Sequence, residues 1–220
     1  MRSTLPSPAE PSTAGPAPEP ERAALPFTRL VPWLLLVAGA LGTTAAFVLT
    51  VEKISLLSDA AYVPTCSINP VLNCGSIMRT DQAEAFGFPN SLIGLAAFPV
   101  LAATGAALLA GARLRRWYWL GLQAGATFGV VFIGWLVFQS LYRIGALCPY
   151  CMVVWAVVIP TFWYVTLYNL THGNLGEHAR GSRLTRMVVG NHAVILTVVY
   201  LSLVALIAER FWNYWSTLLL

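Results

Sequence analysis

The sequence contains few charged residues. Asp, Glu, Lys and Arg together make up 10% of the 220 positions, whereas soluble domains typically contain about 25%. Lysine occurs only at Lys53, so almost all of the positive charge comes from arginine. Hydrophobic residues make up 57% of the chain. This composition excludes an ordinary soluble domain and predicts an integral membrane protein.

Charged residues are absent from five long stretches of the chain. Each stretch is long enough to cross a bilayer, since about 20 apolar residues span the hydrocarbon core. Their apolar residues are continuous rather than alternating, which excludes a closed β-barrel. We therefore predict an all-α membrane protein whose transmembrane helices cover residues 30–51, 90–111, 117–142, 148–169 and 188–208.

The arginines are concentrated before the first helix, between the second and third, and between the fourth and fifth. These connections hold Arg2, Arg22, Arg29, Arg113, Arg115, Arg116, Arg180, Arg183 and Arg186. The remaining connections and the C-terminal segment carry only Lys53, Arg79, Arg143 and Arg210. Because Lys and Arg accumulate in cytoplasmic loops, this distribution predicts a cytoplasmic N-terminus and an extracytoplasmic C-terminus. Membrane topology thus explains the net charge of +4 without any role in nucleic acid binding.

Composition also predicts how the chain is organised. Residues 1–26 hold seven of the fourteen prolines and are expected to form a disordered cytoplasmic tail. Residues 27–170 contain the first four helices and form the predicted catalytic domain, with a long outside loop at 52–89. A basic cytoplasmic loop at 171–187 follows, and residues 188–220 supply the fifth helix and the outside C-terminus.

The third predicted helix carries Gly121, Gly125 and Gly129 at four-residue spacing. Small residues at this spacing allow two membrane helices to approach closely. We therefore expect a second helix to pack tightly against this face.

All four cysteines fall on the predicted outer side of the membrane. Cys66 and Cys74 lie in the long loop, and Cys148 and Cys151 form a C-x-x-C pair at the start of the fourth helix. Disulfides persist in an extracytoplasmic compartment. Two cysteine pairs on one face indicate thiol–disulfide exchange.

The C-x-x-C pair stands where a reactive thiol is favoured. Pro149 suits the first position of a helix, so the fourth helix is predicted to begin within the motif. The partial positive charge at a helix N-terminus stabilises a thiolate. Such a thiolate at the membrane surface could attack a disulfide on the water side or a lipid-soluble two-electron acceptor, that is, a quinone.

Two other interpretations use the same four cysteines. Two structural disulfides would also need an even number of cysteines. A four-cysteine zinc site normally uses C-x₂₋₄-C spacing, and Cys66 and Cys74 are eight residues apart, so we expect no metal.

Three segments in this order resemble the bacterial branch of the vitamin K epoxide reductase family: CSINPVLNCGSIM, FGFPNSLIG and CPYC opening a membrane helix. The resemblance covers residues 28–170. It implies a four-helix bundle around a quinone of the menaquinone or ubiquinone type, in the bacterial plasma membrane. It further implies an enzyme that reoxidises an extracytoplasmic thioredoxin-like protein, which in turn introduces disulfides into exported proteins. The chain carries no recognisable thioredoxin-like segment, so a separate partner protein is expected.

The resemblance also implies a role for each cysteine. Cys66 would exchange with the partner protein, and Cys74 would reach back to Cys148. Cys151 would stand next to the quinone and pass electrons to it.

Four further residues match quinone-contact positions by the same resemblance, each with a simpler alternative. Asn90 could instead cap the second helix, and Thr80 could cap a helix in the loop. Trp155, where some relatives have Tyr, could be an aromatic residue of the membrane interface. Phe88 could contribute only to packing.

Two different functions remain open at this point. The unrelated quinone reductases of the disulfide bond protein B type also use two cysteine pairs, but in the reverse order along the chain. A non-enzymatic alternative is a membrane scaffold or binding subunit that is stapled by disulfides.

Overall fold

The computed structural model describes residues 26–59 and 61–219; the predicted tail lies outside this part of the chain except for Pro26. Its α-helices are α1 (Pro26–Ser58), α2 (Cys74–Met78), α3 (Ser91–Leu109), α4 (Arg116–Phe138), α5 (Pro149–Thr171), α6 (Glu177–Gly181), α7 (Arg183–Gly190), α8 (His192–Arg210) and α9 (Trp212–Leu219). A 3₁₀ turn covers Asp81–Glu84, and a π-helical turn, Gln139–Ile144, extends α4.

Five of these helices, α1, α3, α4, α5 and α8, are long and apolar enough to cross a membrane. The described residues contain no β-strand, only an isolated bridge between Leu72 and Leu147. The prediction of an all-α membrane protein is therefore confirmed. The fourth long helix begins at Pro149, inside the C-x-x-C motif, as its proline predicts.

The first helix continues seven residues beyond its predicted end, through Glu52 and Lys53 to Ser58. Both charged side chains are buried, which is costly unless each charge is paired. Glu52 accepts hydrogen bonds from the loop that follows α1, and Lys53 forms an ion pair with Glu84 at 2.8 Å. The helix can continue because the loop that follows supplies these partners.

The closest packing in the bundle is between α1 and α3. A Cβ atom placed on Gly39 would lie 2.3 Å from the backbone nitrogen of Ala102, and one on Gly105 would lie 2.4 Å from that of Leu36. Small residues at both contacts therefore let the two backbones approach. α1 also packs on α5, which in turn packs on α4.

The glycines of α4 have a different environment from the predicted one. A Cβ atom at Gly121 or Gly125 would meet nothing within 4 Å, and one at Gly129 would meet only Val158, at 3.4 Å. All three line a cavity between α3 and α4. The prediction of tight helix packing at this face is wrong, because the space beside these glycines is open rather than filled by a helix.

The two ends of the bundle differ in composition. We call the end that holds all four cysteines the cysteine end, and the opposite end the arginine end. At the arginine end, Arg116 Nε donates to the carbonyl oxygen of Asn174 at 2.9 Å, which joins the α3–α4 and α5–α6 connections. The basic loop predicted at 171–187 contains α6 and most of α7.

The last long helix lies against the outside of α5, and none of its residues is buried. Tyr200 Oη donates to the carbonyl oxygen of Ala156 at 2.7 Å, and Arg210 Nε donates to that of Leu141 at 2.7 Å. Phe211, which follows it, is buried in the core. α9 is the last described helix, and its first residue, Trp212, is exposed.

A Gly105→Ala substitution should lower the stability of the bundle, because the added methyl group overlaps the backbone of α1. Overpacking of this kind typically costs about 1–3 kcal/mol. Gly134→Ala on α4 is the matched control, because a Cβ atom there meets nothing within 4 Å. Thermal unfolding in detergent micelles measures the difference, and equal midpoints for both variants would contradict the tight α1–α3 contact.

Candidate functional site

Two segments of the chain lie side by side just before Cys74 and Cys148. The backbone nitrogen of Asn73 donates to the carbonyl oxygen of Leu147 at 2.9 Å, and that of Leu147 donates to the carbonyl oxygen of Val71 at 2.7 Å. This short bridge fixes the register of the loop between α1 and α2 against the start of α5. It therefore brings together two cysteines that are 74 positions apart.

At the cysteine end, the sulfur atoms of Cys66, Cys74 and Cys148 form a compact, buried group, and Cys151 is half-buried beside them. Cys66 and Cys74 are joined by a disulfide, whereas Cys148 and Cys151 are free thiols. The Sγ atom of Cys148 lies 3.2 Å from that of Cys74. A thiolate breaks a disulfide by attacking one of its sulfurs, so this contact places the two cysteine pairs at exchange distance.

Three of these sulfurs, those of Cys66, Cys74 and Cys148, lie within 4.8 Å of one another, a spacing that could also hold a metal ion. Metal ions in proteins bind to cysteine as the thiolate. Because Cys66 and Cys74 share a disulfide, neither of them offers a thiolate in this state. The arrangement is therefore better suited to disulfide exchange than to metal binding.

Cys148 occupies the N-cap position of α5, where its sulfur accepts a hydrogen bond from the backbone nitrogen of Cys151 at 3.4 Å. The Cys151 thiol and the backbone N–H groups of Cys151 and Tyr150 donate to this sulfur and lower the pKa of Cys148, although burial acts in the opposite direction. The thiol next to the Cys66–Cys74 disulfide is thus the one that ionises more readily.

Glu52 fixes the segment that leads into Cys66. Its carboxylate accepts hydrogen bonds from the backbone nitrogen and the hydroxyl of Thr65, and from Tyr62 Oη at 2.9 Å. Cys66 itself is only 5% exposed. Cys66 can therefore become exposed to solvent only if this segment moves.

Lys53 fixes the other half of the loop. Its ammonium group donates to the carbonyl oxygen of Met78 at 2.6 Å and pairs with Glu84. The sequence interpretation assigned no function to Glu52 or Lys53. Their signal was present, however: two adjacent, opposite charges, including the only lysine, directly follow a long apolar run.

Two adjoining cavities lie beside the cysteines. The cysteine-side cavity, about 90 Å³, has Cys148, Cys151, Lys53 and Thr80 in its wall. The membrane cavity, about 490 Å³, lies deeper between α3 and α4, and its wall is almost entirely apolar. Both cavities share Leu49, Asn90, Ser91, Leu136, Cys151 and Trp155 as wall residues.

Asn90 and Trp155 lie where the two cavities meet. The Asn90 side chain makes no helix-capping hydrogen bond; its amide nitrogen donates to the carbonyl oxygen of Gln82 at 2.7 Å, and its oxygen accepts from the backbone nitrogen of Ala85 at 3.2 Å. Trp155 is 2% exposed, so it is a core residue and not an aromatic of the membrane interface.

The structure brings Thr80 to the site but not Phe88. Thr80 lines the cysteine-side cavity, and its hydroxyl donates to the carbonyl oxygen of Ile77 at 2.7 Å without capping the following 3₁₀ turn. Phe88 is 41% exposed and packs against Phe86, with ring centroids 6.2 Å apart. It forms no part of either cavity wall.

A buried disulfide in contact with a free C-x-x-C thiol, inside a bundle of membrane helices, defines a membrane thiol–disulfide oxidoreductase. The comparison with family models agrees. The model of the Vitamin K epoxide reductase family matches residues 33–166, and the chain belongs to this family. The match runs from α1 into α5 and leaves out α8 and α9. Comparison with individually curated proteins finds no match.

The ionisation of Cys148 should depend on the hydrogen-bond donor at position 151. Cys151→Ala removes the side-chain donor, so the pKa of Cys148 should rise and its thiolate should form at higher pH. Cys151→Ser is the matched control, because its hydroxyl still donates. With the Cys66–Cys74 disulfide intact, Cys148 is the remaining free thiol in both variants, so the pH dependence of its alkylation by iodoacetamide reports its ionisation. A midpoint for the alanine variant at or below that of the serine variant would contradict this assignment.

Proposed function

We propose that this protein is a thiol:quinone oxidoreductase of the bacterial plasma membrane. It takes two electrons from an extracytoplasmic thioredoxin-like protein and passes them to a quinone, and so supports disulfide formation in exported proteins. The observation that carries this proposal is the 3.2 Å contact between the sulfurs of Cys74 and Cys148, next to a thiol, Cys151, that lines both cavities.

The outer cysteine pair receives the electrons in this proposal. A partner thiolate attacks Cys66, the bond between Cys66 and Cys74 breaks, and Cys74 leaves as a thiolate. The second cysteine of the partner then attacks the mixed disulfide. The partner is released with a disulfide, and Cys66 and Cys74 are left reduced.

The inner pair receives the electrons next. Cys74 attacks Cys148 of a Cys148–Cys151 disulfide, and Cys151 leaves as a thiolate. Cys66 then attacks Cys74, which re-forms the outer disulfide and releases Cys148. The product is the oxidation state of the structure, with Cys66 and Cys74 bonded and two electrons on the inner pair.

The residues present fit a quinone. The volume of the membrane cavity lies within the range of about 300–1,000 Å³ that is usual for ligand sites, and its wall is apolar. Asn90, Thr80 and Trp155 would hold the ring near Cys151, and the glycines of α4 leave room for an isoprenoid tail. A quinone, when bound, supplies a lipid-soluble acceptor of two electrons.

The proposed topology places the cysteine end outside the cell. The arginine end, where Arg116 contacts Asn174, would then face the cytoplasm, in agreement with the positive-inside rule. A thioredoxin-like partner would meet the loop around Cys66, and membrane lipid would cover the exposed apolar faces of the long helices.

Replacement of Cys151 tests the electron route. Purified Cys151→Ala, mixed with a reduced thioredoxin-like protein and a short-chain quinone, should form quinol only at the uncatalysed rate. Val153→Ala is the matched control, because Val153 is exposed on the same helix and lies in neither cavity wall. Quinol formation is followed by ultraviolet absorbance. A Cys151→Ala rate equal to that of an active control would exclude this electron route. Quinol formation at only the uncatalysed rate by the wild-type protein would favour a disulfide-stapled scaffold.

A pair of serine variants tests which loop cysteine meets the partner. Cys74→Ser leaves Cys66 as a thiol, and Cys66→Ser leaves Cys74 as a thiol. A single-cysteine partner, activated as a mixed disulfide with thionitrobenzoate, should be captured by Cys74→Ser and much less by Cys66→Ser. Non-reducing gel electrophoresis shows the captured complex. Equal capture by both variants would contradict the proposal that Cys66 is the cysteine that reacts with the partner.

A further inference from the structure

Lys53 is a charged residue in the wall of the cysteine-side cavity. Its side chain is 10% exposed, and Cys148 and Cys151 lie in the same wall. Burial of an ammonium group is costly, and a neutral donor could anchor the Met78 carbonyl as well. The retention of a charge here therefore points to a function beyond holding the loop.

The contacts of Lys53 connect the cavity to the outer solvent. An ammonium group has three N–H donors. Within the described part of the chain, the carbonyl oxygen of Met78 and the carboxylate of Glu84 account for two of them. The side chain of Glu84 is 38% exposed, so the ion pair extends from the cavity wall to water. The third donor remains for a molecule in the cavity.

The cysteine relay carries electron pairs but not protons. Each exchange releases a thiolate, and the protons of the partner's thiols leave to the outer solvent. In the reduced inner pair Cys148 ionises more readily and Cys151 is a thiol, so this pair holds one proton. Reduction of a quinone to a quinol takes up two electrons and two protons. Closing the Cys148–Cys151 bond supplies both electrons and the Cys151 proton, so the second proton must enter the cavity by another path.

We propose that Lys53 is a catalytic proton donor of this site and that Glu84 supplies it with protons from the outer solvent. This inference rests on the proposed quinone reduction. Lys53 gives one proton to an acceptor oxygen while the Cys148–Cys151 disulfide forms, and the resulting amine takes a proton from water through Glu84. The other proton of the quinol is the one that the Cys151 thiol loses when the disulfide forms.

A first measurement, without quinone, tests whether the Lys53 charge reaches the thiols. In a Cys151→Ser background with the outer disulfide intact, Cys148 is the remaining free thiol. Lys53→Met should move the formation of its thiolate, read from the pH dependence of its alkylation by iodoacetamide, to higher pH. The other charged groups nearby, Glu84 and Glu52, are the same in both proteins. An unchanged midpoint would overturn the proposal.

A second measurement separates the two half-reactions. Lys53→Arg can keep the contacts with Met78 and Glu84 that hold the loop, so it should exchange with a reduced thioredoxin-like protein within about twofold of the wild-type rate. Reoxidation of its inner cysteines by a short-chain quinone should fall by about 100-fold or more, the usual contribution of a general acid. Equal losses in both half-reactions would show that Lys53 only anchors the loop, and would overturn the proposal.

The arginine side chain keeps the charge but does not release a proton at ordinary pH, so reoxidation of Lys53→Arg should be slow. A wild-type rate of reoxidation in this variant would mean that charge alone suffices, and would overturn the proposal. Glu84→Gln tests the proton path and should slow reoxidation more than it slows exchange. If the wild-type protein reduces no quinone, the proposed function fails. The thiolate measurement needs no quinone, so it still tests whether the Lys53 charge affects the thiol.

Discussion

The contact between the sulfurs of Cys74 and Cys148 depends on two backbone hydrogen bonds. The bridge between Leu72 and Leu147 fixes the loop against the start of α5, and each cysteine follows its leucine by one or two positions. The bridge is too short to form a sheet. It is nevertheless sufficient to hold a disulfide next to a thiol at 3.2 Å, because α5 begins immediately afterwards and fixes Cys148 at its N-cap.

The C-terminal end of α1 also stabilises this contact. Glu52 holds the segment before Cys66, and Lys53 holds the segment after Cys74, so one turn of one helix anchors both sides of the disulfide loop. The unfavourable burial of two charges is offset only when the loop is in place. Loop position and the ion pair with Glu84 are therefore coupled, and a loop that opens to admit a partner must break some of these bonds.

The sequence was sufficient to predict the class of fold, and the reasons lie in particular residues. Uncharged runs predicted all five long helices, and Pro149 predicted where α5 begins. The predicted end of α1 was seven residues too early. The sequence alone does not show that distant residues pair with the charges of Glu52 and Lys53. The bridge at Leu147 had no local signal either, since it joins segments about 75 positions apart. The quinone contact of Phe88 that the resemblance implies stays a prediction; its ring packs against Phe86 and lines neither cavity.

The glycines of α4 show why spacing alone does not determine structure. Four-residue spacing of small residues creates a smooth helix face, and such a face suits a neighbouring helix or an apolar ligand equally well. Here α3 packs closely on α1 through Gly39 and Gly105, while the space beside the α4 glycines stays open. The membrane cavity occupies this space. It shares a wall with the cysteine-side cavity, and this wall includes Cys151, Asn90 and Trp155, so one thiol borders both spaces.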